Sequence, residues 1–487
     1  MVQLARKVLK NSFFSTSRAF ISSVGGFAFS VVLARFLAPE LFGIYALAMT
    51  VCFFVLQLDP GIGYTTIRYL SYALGKNDES LVRGYFGFLL KVRLILGFLF
   101  SFSVAILANP LAFHVFDKPE LAVPLKVLSI FIFFFFLTDF LDCCSQAFQN
   151  FKYPALRHAI YESLKFGLVV PFLVMGFFYG VFIGITVAAV ITSIVMFWMI
   201  RKKYGVLFQG RVAEIERKRV LRFTSFMSIG AFSAVIFSYV DMLMLGIFLP
   251  AEYAGYYKVA AMIIFGIAGL TSISGVLFPV FTQLEGESLE DTFKKIFKYS
   301  SLISFPFAVS LAYFSEQIVV VVYGAEYLPA ALPLLILSPI IVFNSINFFG
   351  ILFGAKEKPE YSTAVSIASM MLNVLLNYIL ILQLGMIGAA IATTVSRFFN
   401  IAAIGILSSM KLKISPGADS IYKPLFASLI MFGFLHLMPH PKTLFIGVSE
   451  LCIAMAIYFT VMFLTGGMGK EDLRYAKTVL GIENRRL

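Results

Sequence analysis

The chain has 487 residues, of which 60% are hydrophobic and only 13% charged, against roughly 25% charged in an average soluble domain. With a mean hydropathy of +0.90 over the whole length, the apolar sequence exceeds what a globular core could bury, while about 20 apolar residues suffice to cross a bilayer. An ordinary soluble enzyme is excluded and a multi-pass membrane protein is expected. The formal charge of +13 does not point to nucleic acid, because the basic residues sit singly or in short clusters between apolar stretches, as cytoplasmic loops do under the positive-inside rule.

At the N-terminus, Arg6, Lys7 and Lys10 precede an apolar run from Ser12 to Leu37. The run is too long for a signal-peptide core, so an uncleaved first helix is expected. Breaking the later runs at Pro, Gly and charge clusters predicts fourteen transmembrane helices, at 12–37, 42–71, 84–108, 120–148, 154–177, 180–200, 222–249, 254–278, 294–314, 328–354, 359–383, 385–409, 420–438 and 443–465. Alternate loops differ sharply in charge: one side, with both termini, collects 28 Lys and Arg, and the other holds Lys118 and Lys442. Both termini are therefore expected in the cytoplasm.

The largest cytoplasmic loop, around 201–221, divides the chain. It separates an expected N-terminal six-helix lobe, 1–200, from a C-terminal six-helix lobe, 222–409, with two further helices and a cytoplasmic tail in 410–487. Across the divide, the stretch from Phe36 to Ala48 aligns with that from Phe248 to Ala260 at six of thirteen positions, pairing Gly43 with Gly255. A second match pairs Leu121–Ser129 with Ala330–Ser338, before helix four of each half. Two matches at equivalent positions indicate a duplication. Because six is even, the halves enter the membrane in the same direction, giving parallel repeats about an axis along the membrane normal. The expected fold is an all-α integral membrane protein with two pseudo-twofold-related lobes, a cavity between them, and alternating access by rocking.

Several ionisable residues fall inside these helices. The bases are Arg18, Arg35, Arg68, Lys91, Arg93, Lys126, Lys165, Lys258 and Arg397, and the acids Asp59, Asp139, Asp142, Glu162, Asp241 and Glu450. A charge at mid-bilayer costs at least about 2.5 kcal/mol on insertion scales, so such residues normally face protein or water and mark a pathway. Those near helix ends, Arg35, Lys126, Lys258 and Arg68, can snorkel to the headgroups. At ~1.5 Å per residue, Arg18, Arg93 and Lys165 lie about 9, 14 and 16 Å from the cytoplasmic helix ends, too deep for all three to do so. The first six helices hold the basic surplus, which makes the N-terminal lobe the more cationic wall. Glu162 and Lys165 share a face of helix five and can neutralise each other. Asp139, Asp142, Gln146 and Gln149 recur at helical spacing as a polar stripe on a Phe-rich helix, and Ser362, Ser366, Ser369, Asn373 and Asn377 do so on helix eleven. Such stripes line a water-filled cavity or pack helices through small polar groups.

Cys52, Cys143, Cys144 and Cys452 lie in apolar stretches without metal-site spacing, and His114, His158, His436 and His440 are scattered. The sequence has no G-x-x-x-x-G-K-[ST] loop for ATP phosphates and no arguable nucleophile triad. Transport without covalent chemistry or a bound cofactor is expected, with H+ or Na+ as the available coupling ions.

The segment from Leu33 to Tyr45, reading Leu-Ala-Arg-Phe-Leu-Ala-Pro-Glu-Leu-Phe-Gly-Ile-Tyr, is followed by Asp59-Pro60-Gly61 and Arg68. It resembles the opening of Wzx-type polysaccharide flippases, of the MOP superfamily that also holds MATE exporters and lipid II flippases. Ala147-Phe148-Gln149, the stretch from Asp241 to Ala260, and the run from Gly385 to Ala392 resemble later signatures of that family. The resemblance implies a two-lobed bundle in the cell (cytoplasmic) membrane that turns a polyprenyl-diphosphate-linked oligosaccharide between leaflets. It places the extra C-terminal helix pair with lipid II flippases and some other relatives. A cationic cavity suits such a diphosphate, and the expected cavity residues are Arg18, Asp59, Arg68, Arg93, Asp139, Asp142, Gln146, Gln149, Glu162, Lys165, Asp241 and Arg397. The competing reading is a MATE-like exporter of organic cations, in which Asp59, Asp139, Asp142 and Asp241 bind a cation. A polymerase or ligase is disfavoured, because the longest loop has only about twenty residues.

Overall fold

The computed structural model describes residues 2–59, 61–271, 274–439, 443–469 and 472. Among these, secondary structure is helical throughout. In chain order the helices are α1 (Val2–Phe36), α2 (Pro39–Leu56), α3 (Gly61–Gly75), α4 (Glu79–Pro110), α5 (Ala122–Ala147), α6 (Lys152–Val174), α7 (Phe178–Lys203), α8 (Arg217–Phe248), α9 (Ala251–Thr271) and α10 (Ser274–Gln283). There follow α11 (Gly286–Tyr313), α12 (Ser315–Val322), α13 (Ala331–Leu337), α14 (Ile340–Ile346), α15 (Phe349–Ala355), α16 (Pro359–Leu384), α17 (Met386–Lys411), α18 (Asp419–Leu437) and α19 (Leu444–Leu464). Lys442, Pro60, His440 and the expected cytoplasmic tail beyond 472 lie outside the described residues.

By length and apolarity, nine of the described helices can cross a membrane, or eleven if each of two bent pairs counts as one span. The bent pairs are Gly286–Tyr313 with Ser315–Val322, at 73°, and Ala325–Leu337 with Ile340–Ala355, at 43°. The expected fourteen is not reached by this measure. The three expected spans that fall short are 154–177, 222–249 and 254–278. The first carries Arg157, Glu162 and Lys165 in one helix; the measure covers described residues only, and the side chains at 229–231, 233 and 268–276 of the other two lie outside them.

Two expected helices are broken. The span 42–71 is divided into α2 and α3, with Asp59 at the break. Asp59 precedes a proline in the sequence, and a residue before proline is pushed out of the α region. The span 328–354 is divided into α13, α14 and α15. Its first division falls at Ser338, the residue before Pro339, and its second at Asn347, with ψ of 71°.

Compact packing groups the chain into two units, Met1–Met262 with Val322–Tyr327 and Met370–Ala389, and Ile263–Val321 with Leu328–Ser369 and Ala390–Leu487. The expected lobe 1–200 lies wholly in the first unit, and 222–409 is shared between both. In the first unit α4 shows how the sequence selects a face. Val82, Phe86, Leu89, Arg93, Gly97, Val104 and Ala108 are buried, at the three- and four-residue steps of one helix face. Ile95, Phe98, Leu99, Phe102 and Ile106 are exposed large apolar residues on the other faces, as a lipid-facing surface requires. The buried face packs on α5, which also packs on α7 and α3. Leu70, Phe86, Phe140, Leu141, Met196 and Ile200 close this core. In the second unit the additional pair α18 and α19 packs on α11 through Leu302, Met431, Leu435 and Tyr458, and Tyr458 donates its hydroxyl to the Leu302 carbonyl at 3.0 Å.

Candidate functional site

The buried charges of the first unit form a chain of pairs. Arg93 of α4 is 3% exposed. Its Nη2 donates to Asp139 Oδ2 at 2.7 Å, its Nη1 to Asp59 Oδ2 at 3.4 Å and its Nε to the Phe136 carbonyl at 2.9 Å, with the guanidinium carbon 4.3 Å from the centre of the Phe136 ring. Asp59 also accepts from Ser228 Oγ of α8 at 3.3 Å. All three nitrogens of Arg93 are thus committed, and the break between α2 and α3 brings Asp59 within their reach.

One turn further along α5, Asp142 is fully buried and pairs with Arg157 Nη2 of α6 at 2.7 Å. The two acids of the α5 stripe therefore turn to different helices, Asp139 to α4 and Asp142 to α6. Arg157 Nη2 also meets His158 Nε2, which accepts from Arg18 Nε at 3.1 Å. Guanidinium groups only donate, so His158 Nε2 is the acceptor and its ring proton sits on Nδ1. On the same helix Lys165 Nζ lies 2.6 Å from Glu162 Oε2 and 4.3 Å from the centre of the Phe29 ring. Four bases, Arg18, Arg93, Arg157 and Lys165, here accompany four acids, Asp59, Asp139, Asp142 and Glu162.

Other expected residues stand elsewhere. Arg68 is exposed on α3, its guanidinium 4.6 Å from the Phe223 ring centre. Gln146 is half-buried on α5. Gln149 is not part of the helical stripe: α5 ends at Ala147, and Gln149 lies beyond it at a φ of 56°. The backbone closes there by Gln149 N to Gln146 O at 2.8 Å and Asn150 N to Ser145 O at 2.9 Å, the pattern of a helix stopped by a left-handed residue. Asp241 of α8 accepts from Tyr257 Oη at 2.8 Å and from Asn377 Nδ2 at 2.6 Å. Asn373, one turn before Asn377, is fully buried. In the second unit Arg397 donates to Asn344 Oδ1 at 3.2 Å and lies 5.4 Å from the Phe265 ring centre. Asn347 donates to Asn400 at 3.2 Å and Asn400 to Ser369 at 3.0 Å.

The sequence does not single out Arg157, because it lies near the entrance of its expected helix, 154–177, where a base is ordinary for a cytoplasmic loop. Asp142 carried the signal: a buried acid needs a base, and Arg157 is the first arginine after it in the chain. Ser228, Asn344, Asn347 and Asn400 are not singled out either, and as isolated neutral polar residues they give no periodic signal. No group of three or more His, Cys, Asp or Glu that could hold a metal occurs among the described residues.

The family model described as polysaccharide biosynthesis protein matches residues 8–285, more than half of the chain. The chain belongs to the polysaccharide biosynthesis protein family. It is 28% identical to an uncharacterized membrane protein of Methanocaldococcus jannaschii, over 69% of this chain and 71% of that one. It is 26% identical to the probable low-salt glycan biosynthesis flippase Agl15 of Haloferax volcanii, over 51% of this chain and about half, 54%, of the relative. The succinoglycan biosynthesis transport protein ExoT of Rhizobium meliloti is also 26% identical, over 67% of this chain and 65% of its own length. Among solved structures, the inward closed conformation of the lipid II flippase MurJ matches with a TM-score of 0.75 at 19% identity, covering 92% of this chain and 97% of that one. An inward-facing multidrug resistance MATE family transporter of the MOP superfamily matches with a TM-score of 0.69 at 15% identity, covering 80% and 94%. The fold of this family member is therefore the one these two solved structures share.

Proposed function

We propose that this polysaccharide biosynthesis family member is a flippase. It carries a polyprenyl-diphosphate-linked oligosaccharide across the cytoplasmic membrane by alternating access, with both termini in the cytoplasm and no covalent step. The family match supports the pathway, and the names of Agl15 and MurJ support the reaction class. The observation that carries the reading is the division of bases in the first unit. Arg93, Arg157 and Lys165 are paired with carboxylates, whereas Arg18 is held by an imidazole and Arg68 by a phenyl ring, neither of which carries negative charge. Arg18 and Arg68 are the groups for an incoming diphosphate, whose oxygens a guanidinium fork can take in pairs. Arg93, with Asp59 and Asp139, ties α4 to α5 and to the break between α2 and α3.

Coupling to H+ or Na+ belongs to Asp241, whose oxygens lie among the amide of Asn377 and the hydroxyl of Tyr257. The same cluster favours the second reading, a cation-coupled exporter of small organic compounds, since a buried carboxylate that accepts from neutral donors keeps its negative charge for a cation. Binding separates the two. The purified protein is expected to bind a short-chain polyprenyl diphosphate sugar and to lose that binding in Arg18→Ala with Arg68→Ala. Tight binding of an organic cation, with none of the diphosphate, would select the exporter.

A further inference from the structure

The two aligned repeat segments meet in the first unit, and they meet reciprocally. A side-chain carbon on Gly43 of α2 would strike the Ala251 carbonyl oxygen and come within 3.2 Å of Gly255 N. One on Gly255 of α9 would lie 2.5 Å from the Pro39 carbonyl oxygen and 3.2 Å from Gly43 N. The alignment that pairs Gly43 with Gly255 also pairs Pro39 with Ala251, so each copy makes on the other the contact the other makes on it, as in a twofold interface. Only residues without a side chain let two helices approach this closely.

The flanks repeat the pattern. Lys118, after α4, donates from Nζ to the Gly246 carbonyl near the end of α8 at 2.7 Å. Tyr327, after α12, donates from Oη to the Leu37 carbonyl just past α1 at 2.9 Å. Extended three residues upstream, the match of Leu121 with Ala330 pairs Lys118 with Tyr327. Each tip therefore donates to the carbonyl end of the first helix of the other repeat, where backbone oxygens lack helical partners. Arg35 Nε adds a bond to the Val322 carbonyl at 3.0 Å on the Tyr327 side. The charge count assigns all these helix ends to the outer face.

We propose that this reciprocal crossing is the outer seal of the transport cycle: the glycine pair sets its depth, and Lys118 and Tyr327 are the ties that release when it opens. The proposal rests on the transporter reading and on the orientation drawn from charge. Ties of one hydrogen bond each suit a reversible seal, since such a bond is modest in net strength.

The test uses the full chain with its four cysteines replaced and a reporter at Gln57→Cys, an exposed position at the far end of α2 from Gly43. An impermeant maleimide outside cells is expected to label the reporter slowly, and one added to inverted vesicles quickly. The double variant Lys118→Met with Tyr327→Phe keeps side-chain bulk and is expected to raise outside labelling about tenfold, the effect of losing two modest bonds. Gly43→Leu is expected to raise it further, and if that variant does not fold the double variant decides alone. Outside labelling that is fast in the parent, or unchanged in the double variant while inside labelling is normal, would overturn the seal. Because labelling needs no substrate, changed labelling without any flipping would leave the seal standing and count against the flippase reading.

Discussion

Arg93 carries three interactions on one guanidinium, two with carboxylates and one with a backbone carbonyl, and it is almost completely buried. Removing one member of such a group leaves its partners charged and unpaired, at about 3–5 kcal/mol. Arg93→Ala is therefore expected to lower the midpoint of thermal unfolding in detergent markedly, and a second change, Asp139→Asn, to restore part of the loss. An unchanged midpoint in Arg93→Ala would remove the structural role. Arg18 differs in kind, being held by His158 alone among the bonds described for it. Arg18→Ala is expected to leave the midpoint near that of the parent while transport falls, with Arg18→Lys retaining part of it, because lysine keeps the charge without the planar fork. Loss of stability equal to that of Arg93→Ala would place Arg18 with the structural bases.

At the level of elements, α6 is among the helices that apolarity alone does not qualify as spans, and it carries Arg157, His158, Glu162 and Lys165 together. The helix-face pattern of α4 and the neutralising Glu162–Lys165 pair were legible in the sequence, because residues three or four apart share a face whatever surrounds them. The Arg93 bridge was not, since it depends on α2 ending early enough to turn Asp59 toward α4. The pairing of Asp142 with Arg157 was hidden for a different reason: contact between successive helices leaves no trace in the spacing of either. Gln149 illustrates a third limit, where periodicity ran on past a helix end that backbone closure had already set. Its left-handed conformation gives a test of that end. Gln149→Gly is expected to hold or slightly raise thermal stability, and Gln149→Val to lower it by about 1 kcal/mol or more, as a β-branched residue is strained at positive φ. Equal effects of the two substitutions would show that the turn is not what fixes the end of α5.

For the whole molecule, the asymmetry of basic loops predicts that both termini lie in the cytoplasm. Cysteines placed at Lys202 and Lys442 test it directly: outside reagent is expected to reach the second and not the first, and the reverse pattern would invert the topology. The flippase account joins the buried ion pairs of Arg93, Arg157 and Lys165 to Arg18 and Arg68, which an imidazole and a phenyl ring hold. The measurement that tests this most directly is leaflet exchange of a fluorescent polyprenyl diphosphate sugar in liposomes containing the purified protein, followed by quenching with an impermeant reductant. Quenching is expected to exceed the outer-leaflet fraction in a protein-dependent manner and to return to that fraction in the Arg18→Ala, Arg68→Ala variant. Quenching that stays at the outer-leaflet fraction with the parent protein, or that persists undiminished in a correctly folded double variant, would contradict the account.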